Sequence, residues 1–135
     1  MKTKFSGFTL VELMIVVAIV GTLVLIAYPS YLDSVRKSNR VEGQTELMDV
    51  AQRLQKCFTA NGKYNDAATC SAYKSVSATP YKTPGNGFYE ITISEPTATT
   101  YKLTATAKLV PQTADTDCVK MTVDHKGETL PAVCW

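Results

Sequence analysis

The feature that most constrains this chain is an apolar run near its start. From Phe8 to Tyr28, about 21 residues, every position but a few is Leu, Ile, Val, Phe, Ala or Met. A stretch of that length crosses a bilayer as a helix. Seven residues precede it, two of them charged, Lys2 and Lys4, and basic residues on that side place the N-terminal end in the cytoplasm and the body outside. An ordinary secretory signal carries its small-residue cleavage motif after the apolar core. Here the sequence after the core, Ala27-Tyr28-Pro29-Ser30, fits poorly, and the small residues Ser6-Gly7 stand before it.

Glu12 interrupts the run. An acid at the centre of a membrane helix costs about 2.5 to 3.5 kcal/mol. Thirteen Leu, Ile, Val and Phe residues between Phe8 and Tyr28 return roughly 4 to 8 kcal/mol, so insertion stays favourable. Glu12 also lies near one end, within reach of the interface. It reads either as a tolerated near-surface acid or as a carboxylate awaiting a positive partner, and an ionisable group in a membrane helix favours the second.

Gly7-Phe8-Thr9-Leu10-Val11-Glu12-Leu13 resembles the class III signal of type IV pilins and their pseudopilin relatives. The resemblance implies that a membrane prepilin peptidase/methylase cuts between Gly7 and Phe8 and methylates the new Phe8 terminus. It also implies that Glu12 pairs with the terminal amine of a neighbouring subunit during filament assembly. In a low-dielectric helix bundle an unpaired carboxylate is costly and a paired one much less so. The expected organisation is a cleaved leader over 1–7, a transmembrane and filament-core helix over 8–30, and a periplasmic or surface-exposed body over 31–135.

Beyond the run, Pro29 predicts a kink, and Tyr28 and Tyr31 suit a membrane interface. Leu47, Ala51, Leu54 and Phe58 recur at helical spacing while Arg40, Glu42, Glu46, Asp49 and Arg53 stay polar. One long helix from about Phe8 to Phe58 follows, stopping at Asn61-Gly62. From Gly62 to Gly87 no period is visible and a long loop is expected. Three alternating segments come next, with Tyr89, Ile91 and Ile93 on one face of the first. Tyr101, Leu103, Ala105 and Ala107 share a face of the second, and Val119, Met121 and Val123 a face of the third. Glu95 to Thr100 and His125-Lys126-Gly127 read as turns. The expected fold class is α+β, of the type IV pilin kind: a long N-terminal helix packed on three or four antiparallel strands.

Four cysteines allow three pairings. The local pairing is favoured, Cys57 with Cys70 and Cys118 with Cys134, since the others cross the sheet in less local ways. The second would close the D-region of a pilin. Further stretches are similar to PilE-type minor pilins of type IVa pili: Ser38 to Gln44, Tyr89 to Ile93, Thr99 to Ala105, Asp117-Cys118 with Thr122, and Gly127-Glu128. Cys57 and Cys70 depart from that group's pattern, which carries only the C-terminal pair. The resemblance implies a minor subunit that works with other pilins and the inner-membrane assembly machinery. Twitching motility, adhesion or DNA uptake would be its consequences.

Chemistry of other kinds finds little footing. The single His125 lies in a turn-like stretch, no nucleophile or phosphate-loop motif occurs, and no cofactor or metal is expected. Asp115-Thr116-Asp117 is a weak calcium candidate and reads better as a solvated loop. The net charge of +2 comes wholly from Lys2 and Lys4, so a chain cut after Gly7 has side chains that sum to zero. That balance does not support nucleic-acid binding, which draws on clustered Lys and Arg. A DNA-binding competence pilin would need a basic surface strip; filament packing would cover Arg36, Lys37 and Arg40 near the membrane end, which leaves Lys74, Lys82, Lys120 and Lys126 as the candidates to converge. A major pilin would share every N-terminal feature, and a type II secretion pseudopilin is the remaining alternative.

Overall fold

The computed structural model describes residues 7–135, so the leader lies outside the described residues except for Gly7. Helix α1 runs from Leu10 to Asn61 and continues through Pro29. Its start is set by Thr9, whose hydroxyl accepts from the backbone N–H of Glu12 at 3.2 Å. Its end is set by Gly62, whose φ of +72° is open to glycine at no steric cost. The Gly62 N–H donates to the Phe58 carbonyl at 2.7 Å, closing the last turn. The chain divides into two compact units, residues through Ser34 and Val35–Trp135.

In the second unit the helix faces a five-stranded antiparallel sheet whose strands lie in sequence order. The strands are β1 (Tyr81–Lys82), β2 (Tyr89–Ser94), β3 (Lys102–Ala107), β4 (Lys120–Asp124) and β5 (Thr129–Leu130). The three central strands are the three alternating segments of the sequence. The two outer strands have two residues each, and such short edges offer little template for stray pairing. The inner face presents Tyr89, Ile91, Leu103, Ala105, Met121 and Val123 to Leu47, Val50 and Leu54 of α1. Each large apolar side chain buried this way contributes about 1.5 to 3 kcal/mol. Where the layers come closest the helix carries Gly43: a Cβ there would stand 2.8 Å from Met121 Cε and 3.0 Å from Tyr89 Cδ2.

The stretch from Gly62 to Gly87 is not the featureless loop its composition implies. It contains α2 (Ser71–Ala78) and strand β1. Cys70 caps α2, its sulfur accepting from the Tyr73 N–H at 3.5 Å, and the helix buries Ala72 and Val76. Two small apolar residues four apart are too little periodicity to stand out in sequence. Cys57 is bonded to Cys70 and Cys118 to Cys134, with Cα separations of 5.5 and 5.8 Å.

Candidate functional site

In the first unit the functional candidates cluster at the helix start. Thr9, Leu10, Val11 and Glu12 form the pattern of a capping box, with Thr9 as N-cap and Glu12 three residues on. The carboxylate therefore sits in the first turn, where the helix dipole favours negative charge. A cut between Gly7 and Phe8 would leave this cap whole. Phe8 is 76% exposed, Glu12 is exposed, and no residue from Gly7 to Tyr31 is buried. The segment is long and apolar enough to cross a membrane. A helix this apolar with no covered face requires lipid or other helices around it.

In the second unit, polar side chains of α1 tie down two connections. Arg40 donates to both carboxylate oxygens of Asp115, Nε to Oδ2 at 2.6 Å and Nη2 to Oδ1 at 2.7 Å. The pair is largely buried, at 14% and 6% exposure. Gln112, fully buried, donates from Nε2 to the Tyr89 hydroxyl at 2.8 Å and to the Arg36 carbonyl at 3.2 Å. Glu42 accepts from the Thr83 hydroxyl and from the Phe88 N–H. Gln44 donates to the carbonyl of Cys134.

Arg40 and Glu42, polar positions of the helix, hold the connections on either side of β2 and β3. One sequence reading is corrected by these contacts. Asp115 is buried, not part of a solvated loop, because a carboxylate in a bidentate guanidinium pair can leave water. Among the described residues no group of acids, His and Cys is placed to hold a metal ion.

Burial governs the tyrosines. Loss of solvent pushes the Tyr101 hydroxyl up to about 12, helped by Tyr64 and Asp124. Burial likewise raises Tyr89, and Tyr81 is raised by burial and by a hydrogen bond to Glu46. Phe58 stacks on Tyr64 at 4.5 Å, Tyr64 meets Tyr101 edge-on at 4.8 Å, and His125 meets Tyr101 at 6.4 Å. His125 sits in the β4–β5 turn, as expected from sequence. There Asp124 Oδ1 accepts from the N–H groups of Lys126 and Glu128, both at 2.9 Å. Partial burial pushes the Asp124 carboxyl up, but these N–H groups outweigh it and hold it below the usual carboxylate range.

Of the seven basic candidates, Arg36, Lys37 and Arg40 lie on α1. Arg40 is committed to Asp115. Lys74 lies on α2 and Lys126 in the β4–β5 turn. Lys82 and Lys120 are brought into one row across the sheet: Lys82 opposes Glu90, Glu90 opposes Thr106, and Thr106 opposes Lys120. Because side chains alternate along strands, this row faces away from the core that Ile91 and Met121 enter. Lys108, which the sequence did not single out, joins the row through an ion pair from its Nζ to Glu90 at 2.9 Å.

A family model described as type IV minor pilin ComP, DNA uptake sequence receptor, matches residues 29–122. The type IV major fimbrial protein FimA of Dichelobacter nodosus is 34% identical over 116 residues, covering 78% of this chain and 72% of that protein. The chain belongs to the type IV pilins. A second model, the prokaryotic N-terminal methylation motif, matches residues 2–28 of the pilin. Another FimA from Dichelobacter nodosus is 54% identical over 60 residues, 41% of this chain and 37% of that protein. The type IV major pilin protein PilA of Myxococcus xanthus (strain DK1622) is 40% identical over 62 residues, 46% of this chain and 28% of that protein. The pilin thus matches less than two-fifths of the length of these last two relatives.

Proposed function

We propose that this pilin is a minor subunit of a type IV pilus, stored in the inner membrane with its body in the periplasm. The prepilin peptidase/methylase cuts between Gly7 and Phe8 and methylates Phe8. The assembly machinery then draws the subunit into the filament beside other pilins. The observation that carries this reading is the helix start. A match to the N-terminal methylation motif coincides with an uncovered apolar helix whose first turn holds one capped, exposed Glu12.

In the growing filament the apolar helix exchanges lipid for other helices, and Glu12 meets the methylated amine of an adjacent Phe8. The cost of holding the carboxylate in hydrocarbon then falls because it is paired. Glu12→Ala leaves membrane insertion and leader removal intact and lowers the amount of subunit in sheared pili. Normal incorporation of that variant would sink the pairing. The minor rather than major role rests on the matching family's description. The relatives named above are major pilins, and copy number in sheared pili decides between the two.

DNA reception is a second reading, favoured by one observation: the family model that covers residues 29–122 is described as a DNA uptake sequence receptor. The body has no excess of basic charge to give it, so any such activity must come from a local arrangement.

A further inference from the structure

We infer that the outer face of the sheet, centred on Lys82, Lys108 and Lys120, is a docking surface for the sugar-phosphate backbone of duplex DNA. This inference rests on the DNA-reception reading and gives it a place on the molecule. Charge is the starting point. Outside Lys2 and Lys4 the basic and acidic residues are equal in number, yet the row Lys82–Glu90–Thr106–Lys120 with Lys108 carries three cations against one carboxylate. All three lysines are exposed. Glu90 is occupied by Lys108, and among the described residues Lys82 and Lys120 enter no ion pair.

Spacing fits the ligand. Strands are about 4.8 Å apart, so the Cα atoms of Lys82 and Lys120, three strands apart, are separated by about 14 Å. Duplex DNA offers one charge per ~1.7 Å of axis, so this span meets several phosphates. The side chains between the cations suit the same task. Thr106 stands inside the row, and Thr92, Thr104 and Thr122 oppose one another in the next row on the same face. Threonine hydroxyls donate to phosphate oxygens without reading bases. The surface therefore positions a backbone and carries no sequence code of its own. Glu90 works against binding, since it holds Lys108 back and repels phosphate.

The test uses the full chain in mild detergent, a short fluorescent DNA duplex and anisotropy at rising salt. Three phosphate contacts give a slope of log affinity on log salt of about −2.7, or a loss of about 40-fold between 50 and 200 mM. The triple variant Lys82→Gln, Lys108→Gln, Lys120→Gln should lose most of that slope, while the triple Arg variant keeps it. Glu90→Gln should bind several-fold more tightly, a gain that damage to the fold would not produce. A triple Gln variant with the wild-type slope would overturn this site while leaving DNA reception standing. A wild-type chain that ignores the duplex at 50 mM would overturn both. Tighter binding of dextran sulfate than of DNA, lost in the same triple variant, would replace DNA by an anionic polysaccharide and overturn the proposed occupant.

Discussion

Asp115→Ala removes one side of the bidentate pair that fastens the β3–β4 connection to α1. The wild-type pair makes bonds of 2.6 and 2.7 Å with exposures of 14% for Arg40 and 6% for Asp115. Breaking a buried pair by deleting one member costs about 3 to 5 kcal/mol, most of it from the charge left behind. Arg40 keeps some access to water, so the lower end applies, about 3 kcal/mol. For a unit of about 100 residues each kcal/mol moves Tm by about 4 to 8 °C, hence a fall of about 12 to 24 °C. The double variant Arg40→Met, Asp115→Leu removes both charges and fills the space. It should lie within about 1 kcal/mol of wild type, because well-packed apolar replacements of buried pairs are often neutral. The assay is urea unfolding of the full chain in mild detergent, followed by the fluorescence of Trp135, the single tryptophan. A cost below about 1 kcal/mol for Asp115→Ala, or a double variant no better than the single, would refute the reasoning.

Three other outcomes follow from the body. Gly43→Ala gains about 1 kcal/mol of helix propensity, but its Cβ would meet Tyr89 at 3.0 and 3.1 Å, and that ring is held by Gln112. Overpacking of about 1 to 3 kcal/mol should leave a net loss in urea, and a more stable variant would show that the sheet can back away. Stability should also fall as pH rises from 10 toward 12. In that window the unfolded chain releases the Tyr101 proton while the folded chain holds it to about 12, and stability is lost wherever the unfolded state binds fewer protons. A flat stability profile through that window would contradict the burial of Tyr101. Finally, replacing Cys57 and Cys70 together by Ala should cost about 3 kcal/mol from loop-closure entropy, the bonded pair being 13 residues apart. Amides of α2 should then exchange faster, since Cys70 is its cap; unchanged exchange would show that α2 stands without it.

The long helix and the three central strands were legible because each repeats one period for long enough to be read. Leu47, Ala51, Leu54 and Phe58 mark one helical stripe, and Tyr89 and Ile91 alternate cleanly with polar neighbours. Helix α2 was not legible, since eight residues with two small apolar positions carry almost no periodic signal. The Arg40–Asp115 pair joins residues 75 apart and leaves no local trace in the sequence, whereas the Thr-x-x-Glu pattern at Thr9 and Glu12 is local and marks the helix start. The basic row depends on strand register. Lys82 and Lys120 are 38 positions apart in the chain, and only the pairings through Glu90 and Thr106 put them on one rung.

The most direct test of the central claim is quantitative mass spectrometry of pili sheared from the native cell, read at the N-terminal peptide. The expected result is a peptide that begins at N-methylated Phe8, retains Glu12, and is present as a small fraction of a dominant pilin. The processed chain found only in the membrane and absent from sheared pili, or a mature terminus other than Phe8, would contradict it.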